Sequence, residues 1–199
     1  MNQDRPGKPA QPGQRGQPNQ PGQPAQPNQP GQRALPGQRA LPGEPALPGQ
    51  PGADRRWLAE AIGLSARCQP SESAFSVGAI IVGADGRLFG QGYSRQSDPQ
   101  DHAEEVALRQ AEAGGSALSG ATLYSSLEPC LRRVSRPIPC AELTLTSGVK
   151  RVVIAWLEPP IFQPGGGAAW LAERGVEVIE LPDLAAEAMA INQALLDRY

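Results

Sequence analysis

The chain has 199 residues and a formal net charge of −2, and its 22 Pro and 23 Gly are unevenly placed: 13 Pro and 9 Gly fall in residues 1–52. That stretch holds few apolar residues and no aromatic, so it cannot offset the entropy of ordering a core, whereas residues 53–199 have the size of a single domain. The later stretch carries a net charge of −5, which argues against a phosphate-backbone tracker. No apolar run is long enough to span a bilayer, and three cysteines are too few for a disulfide framework. With no apolar N-terminal segment that could act as a secretion signal, a soluble protein of the reducing cytoplasm is expected.

From Pro6 to Pro51 every third residue is Pro or Arg. A collagen reading fails because Ala10, Asn19, Ala25 and others interrupt the Gly positions. A solvated, partly polyproline-II tail over 1–53 is expected, with a docking arm for a Pro-recognising partner as the alternative.

The folded part reads as a domain over 54–199. Asp54 is placed to cap a helix over 55–67, in which Trp57, Leu58, Ala61, Ile62 and Leu64 recur at helical spacing. Strands over 76–83 and 87–93 joined through Asp85-Gly86 form a hairpin. A helix over 101–113 stops at Gly114-Gly115. A strand over 121–126, a helix from Pro139-Cys140 to before Gly148 and a strand over 151–156 follow, then a helix over 168–174, a strand over 176–181 and a last helix over 183–198. One hairpin followed by βα alternation predicts an α/β fold, a mixed sheet with helices on both faces.

The single histidine, His102, opens a predicted helix two residues before Glu104, and Cys130 and Cys140 lie after a strand and at the start of the next helix. Two thiolates and one imidazole suit zinc, and three protein ligands leave a fourth position open, the mark of a catalytic site. Helix N-termini at both ligand segments favour thiolate. Zinc makes water acidic enough to ionise near neutral pH, and Glu104, beside the metal without ligating it, is placed to move protons. Histidine, Glu, Pro-Cys and a second Cys are the elements of the zinc deaminase signature.

On these residues the sequence resembles the cytidine and deoxycytidylate deaminase superfamily, and within it the deaminase domain of the bifunctional riboflavin-biosynthesis enzyme. The resemblance is carried by the run Ala121-Thr122-Leu123-Tyr124-Ser125-Ser126-Leu127-Glu128-Pro129-Cys130, by nine residues between the metal cysteines ending Arg136-Pro137-Ile138-Pro139-Cys140, by Ser147 to Val153, and by a closing helix with Asn192. It covers about residues 56–199 and implies a three-layer α/β/α cytidine-deaminase-like fold and a zinc-dependent aminohydrolase acting on a pyrimidine ring. The implied substrate is the ribosylamino-pyrimidine phosphate intermediate, and the implied assembly a dimer or tetramer. Any reductase activity is expected from another polypeptide.

The departures fall at substrate-reading positions. Ser73-Ala74-Phe75-Ser76-Val77-Gly78 replaces the family's Pro-Asn-Pro-x-Val-Gly, losing an Asn and gaining Phe75 as a candidate substrate contact. Leu131-Arg132 replaces Ser-His, and Leu157-Glu158-Pro159-Pro160 stands at the family's Asp-Pro. Arg132, Arg133 and Arg136 crowd the insert as candidate phosphate contacts or ordinary surface charge, Arg136 being favoured because it matches the motif. Glu128 either accepts from the substrate amine or shapes the turn into Cys130. Cys68 reads as a helix-end thiol and Gly165-Gly166-Gly167 as a flexible connection. The rival functions are a cytidine or deoxycytidylate deaminase, an RNA- or DNA-editing deaminase, which the acidic domain and long insert disfavour, and a non-catalytic zinc module.

Overall fold

A computed structural model describes residues 47–50 and 52–199, all within the compact unit Leu41–Tyr199. The period-three tail, with its expected disorder and docking role, lies outside the described residues apart from its end, where Gln50 N donates to Leu47 O and Ala53 N to Gln50 O. The elements are α1 (Ala53–Ser65), β1 (Gly78–Val82), β2 (Leu88–Tyr93), α2 (Ala103–Ala113), β3 (Thr122–Ser125), α3 (Cys140–Thr146), β4 (Arg151–Ile154), α4 (Gly167–Ala172), β5 (Glu177–Glu180), a 3-10 turn at Pro182–Leu184, α5 (Ala185–Ile191) and α6 (Gln193–Leu196).

The five strands form one sheet in the order β2-β1-β3-β4-β5. Strand β1 is antiparallel to both neighbours, and β3, β4 and β5 are parallel. It follows that β2 runs in the same direction as β3 and β4, so the chain leaves all three at one edge of the sheet and enters β1 from that same edge. Every functional segment described below is attached there, at the carboxyl ends of parallel strands where open α/β sheets place their ligands.

Alternation along the strands supplies two cores. Ala79, Ile81, Leu123, Val152 and Ile154 face α2, α3 and α4, packing on Ala107, Ala141 and Leu171. Ile80, Val82, Tyr124 and Val153 face the other way, onto Trp57, Leu58, Ile62, Leu184 and Ala188. The mixed sheet with helices on both faces is therefore as the βα alternation predicts. Helix α2 approaches the backbone of β2 closely because that strand carries Gly90 and Gly92. A Cβ at Gly90 would lie 2.1 Å from Ala107 O, and one at Gly92 2.7 Å from Ala103 O. Only glycine permits this contact, which sets the start of α2 against the sheet edge.

Three local readings are corrected. Asp54 does not cap α1. The N-cap is Gly52, and the Asp54 carboxylate accepts from Tyr124 Oη (2.7 Å), from Arg151 Nη1 and Nη2 (2.9 and 2.6 Å) and from Gly49 N (3.1 Å), tying α1 to β3 and β4. The expected strand over 76–83 begins at Gly78, because the backbone of Ser76 pairs with a side chain and not with a strand. The single last helix is broken at Asn192, whose amide makes that pairing: Ser76 N donates to Asn192 Oδ1 (2.7 Å), and Asn192 Nδ2 donates to Ser76 O (3.0 Å) and Ala188 O (3.1 Å).

Candidate metal and catalytic site

His102 is the N-cap of α2, in extended backbone conformation, and Val106 N donates to its carbonyl. The preceding loop is built on Asp101, a buried carboxylate that accepts from Ser97 N and Asp98 N, both at 3.0 Å. Cys130 lies in the loop after β3, and Cys140 is the first residue of α3. The two segments are closed on each other by Ala141 N to Cys130 O (3.1 Å) and by Cys140 N to Cys130 Sγ (3.4 Å).

These three residues form the one His/Cys/Asp/Glu group placed to hold a metal among the described residues. His102 Nδ1 stands 3.6 Å from Cys130 Sγ and 3.5 Å from Cys140 Sγ. A tetrahedral zinc bound at about 2.3 Å to sulfur and about 2.1 Å to nitrogen separates those atoms by about 3.6 Å, so the donor set fits the ion. The hydrogen bond from the Cys140 thiol holds Cys130 well below the thiol range, with His102 adding to the effect, and the same bond together with burial pushes Cys140 well above it. One of the two sulfurs is thus already a thiolate near neutral pH, which is the ligand form.

Glu104, two residues into the same helix, is 3% exposed, and Ser125 Oγ at the end of β3 donates to its Oε1 at 3.1 Å. Burial, then the negative charge on Cys130, pushes its carboxyl above the usual range. A cavity of about 320 Å³ opens over this group, walled by Phe75, Leu127, Glu158, Phe162 and Gln163 among others. Its size is at the lower end of small-molecule sites.

Phe75 is buried in the wall, edge-on to Phe162 at 5.3 Å and to Trp156 at 5.5 Å. Glu128 also faces the cavity, but both its oxygens are taken by backbone: Glu158 N donates to Oε2 (2.9 Å) and Ala168 N to Oε1 (2.7 Å). Its carboxylate shapes the loop between β4 and α4 instead of presenting free acceptors. Arg136, expected at the substrate rim, is not in the cavity wall. Asp98 (3.8 Å), Asp101 (3.5 Å) and Glu105 (3.1 Å) surround its guanidinium and neutralise it. Arg133 lines the cavity instead, its side chain 1% exposed and paired with Glu105 at 3.0 Å.

Several wall residues carry no sequence signature. Glu158 has a buried Oε2 without a hydrogen-bond partner, as does Gln163 at Oε1. Burial and the charges of Cys130, Glu104 and Glu128 push the Glu158 carboxyl up to about 7. Arg95 has φ of +61°, the one non-glycine in the left-handed region among the described residues. Its guanidinium donates to Gln69 O, Phe75 O (3.0 Å) and Ser76 Oγ (3.0 Å), holding the segment that carries Phe75. The signals available were the departures at 73–78 and at Leu157-Glu158, which mark where the wall differs without saying how.

Comparison with known proteins agrees with this geometry. The family model for the cytidine and deoxycytidylate deaminase zinc-binding region matches residues 51–156. Diaminohydroxyphosphoribosylamino-pyrimidine deaminase of Schizosaccharomyces pombe is 36% identical over 126 residues, 62% of this chain and 31% of that protein. Acinetobacter baumannii RibD superposes with a TM-score of 0.60 at 36% identity, covering 72% of this chain and 39% of that one. The chain spans about a third of the length of the curated relatives it matches. Aspergillus oryzae Rib2 deaminase in complex with DARIPP shares the fold at 22% identity, with a TM-score of 0.57 over 73% of this chain and 99% of that one. The chain belongs to the cytidine and deoxycytidylate deaminase family, whose zinc-binding region its residues 51–156 match.

Proposed function

We propose that this chain is a zinc-dependent hydrolytic deaminase of a pyrimidine ring amine, and that its substrate is the diaminohydroxyphosphoribosylaminopyrimidine of riboflavin biosynthesis. The observation that carries the reading is a buried Glu104 on the same helix turn as His102, facing the small cavity that His102 and Cys130 also line. The likeness to the fission-yeast deaminase supports the substrate.

His102, Cys130 and Cys140 hold the zinc, which when bound supplies the Lewis acidity that activates water near neutral pH. Phe75 and Phe162 present ring edges and faces that bind a flat heterocycle and exclude bulk water. Glu104, held at Oε1 by Ser125, takes a proton from the attacking water and delivers protons to the ring nitrogen and to the departing amine. The balance is one water consumed: a C–O bond forms at the ring carbon, its C–N bond breaks, and ammonia leaves. A raised carboxyl suits this work, since the same group must both accept and give up a proton near neutrality.

The protein works in this reading as a homo-oligomer, dimer or tetramer, in the cytoplasm, with a small-molecule substrate and no nucleic-acid partner. Among the described residues no helix is long and apolar enough to cross a membrane. The deciding experiment measures ammonia release from the riboflavin intermediate, deoxycytidylate and cytidine. Preference for the first is expected, and turnover of none of them by zinc-loaded protein sinks the proposal. Deamination of cytosine nucleosides or nucleotides is the second reading. It is favoured by the aromatic Phe75 in the cavity wall and by the loss of the riboflavin enzymes' Asn, where this chain has Ala74.

A further inference from the structure

Each of the two metal-ligand sulfurs faces one N–H group. For Cys130 it is a backbone amide, Cys140 N at 3.4 Å, which no substitution removes. For Cys140 it is a side chain, Arg133 Nη1 at 4.0 Å. At that separation the contact is chiefly electrostatic, the positive edge of a guanidinium against an anionic sulfur in a buried setting where such attraction is strong.

The guanidinium has no freedom to be elsewhere. Its Nε donates to Ser135 Oγ (3.0 Å), Nη2 to Gln100 O (2.8 Å), and both Nη1 and Nη2 to Glu105 Oε2 (3.0 Å each). With the Cys140 contact, all five N–H groups of the fork have an acceptor, an arrangement that lysine, with three donors on one nitrogen, cannot reproduce. Glu105 follows Glu104 on α2 and Arg133 lies between the two metal cysteines, so this ion pair also joins the helix bearing His102 to the insert.

We infer that Arg133 is a positioning residue for the metal ligand Cys140, presenting an N–H to its sulfur as the backbone of Cys140 does to Cys130. The inference rests on the zinc reading of the site and not on the choice of substrate. Its consequence is that the two sulfurs donate to the metal with reduced and more nearly equal strength, preserving the ion's Lewis acidity. Groups around metal ligands commonly change metal affinity by about 10–100-fold when removed.

The test uses the full chain loaded with Co(II), whose sulfur-to-metal charge-transfer absorption reports the donor strength of the thiolates. Appearance of that band in the unmutated protein tests the metal site itself; its position in Arg133→Met tests the inference. Loss of the N–H group leaves the sulfur easier to oxidise, so the band moves to longer wavelength, and zinc retention against a chelator at fixed pH falls by about 10–100-fold. The fold is expected to survive in this variant because Arg136 remains beside Glu105 at 3.1 Å. Should Arg133→Met nevertheless fail to fold, the double variant Arg133→Met with Glu105→Gln, which leaves no carboxylate unpaired beside the lost guanidinium, decides by the same band. A band unmoved in the folded variant overturns the inference, whatever happens to activity.

Discussion

The two walls of the cavity are built in different ways. The metal wall hangs mostly on regular elements: His102 caps α2 and Glu104 lies in its first turn, Cys140 starts α3, and Ser125 ends β3, with Cys130 in the loop that follows β3. The opposite wall consists of two loops, 69–76 and 156–166, and neither has strand pairing of its own. They are held by side chains from distant parts of the chain, Arg95 and Asn192 on the first and Glu128 on the second. A wall set by helix starts and strand ends keeps the geometry that the proposed reaction needs. A wall held by side-chain clamps can change its reading residues without disturbing that geometry.

The comparison breaks first if the metal wall does not act as a unit. His102→Ala removes the only nitrogen of the donor set, and the purified variant is expected to hold less than about a tenth of the wild-type zinc, with deamination at background. Elemental analysis and ammonia release check this; retained stoichiometric zinc would falsify the metal assignment. Glu104→Gln comes next. It is expected to keep zinc and fold while losing about 10²–10⁴ in kcat, the usual worth of a positioned proton carrier. A smaller loss at full zinc content would make Glu104 a structural residue.

The clamped wall responds differently. Asn192→Ala removes acceptance from Ser76 N and donation to Ser76 O and Ala188 O. A cost of about 1–3 kcal/mol in stability is expected from buried backbone groups left unpaired. Because Phe75 adjoins the freed segment, KM rises several-fold while zinc content and kcat remain within about threefold of wild type, a split that a uniform loss of stability does not produce. Denaturant unfolding and steady-state kinetics on the same preparation separate the two effects, and equal losses in kcat and kcat/KM would place Asn192 with the metal wall.

What could be read from the sequence follows the same division. His102 and Glu104 are two residues apart, and Glu128, Cys130 and Cys140 lie within one motif, so spacing along the chain is nearly spacing in the site. The helices and strands were legible for a related reason, because alternation and helical spacing are local properties that the two cores then use. Asp54 misled because an acidic residue before an apolar helical run has the form of a cap, while its partner Arg151 is 97 residues away. Arg136 was favoured over Arg133 on its motif position, yet the choice depends on where Asp98, Asp101 and Glu105 stand around the insert. Glu128 sits beside Cys130 in sequence and works on backbone 30 and 40 residues further on.

Glu158 gives the smallest expected effect and the sharpest view of the clamped wall. Its carboxyl lies at about 7, above the ordinary 4.5, because of burial first and then the charges of Cys130, Glu104 and Glu128. Between those two values the folded chain holds a proton that the unfolded chain has released. Stability contributed by this group is therefore fully present below about pH 4.5 and is lost as the pH rises towards 7. The side chain is partly exposed, so solvent screening reduces the effect to about 1 kcal/mol. Urea unfolding of the zinc-free protein at pH 5 and pH 7.5 is expected to show a loss of stability larger by that amount in the wild type than in Glu158→Gln, in which this group does not titrate. If both proteins change alike over this range, Glu158 is charged in the native state, and the buried acceptor it places on the wall is matched by a donor that the present geometry does not contain.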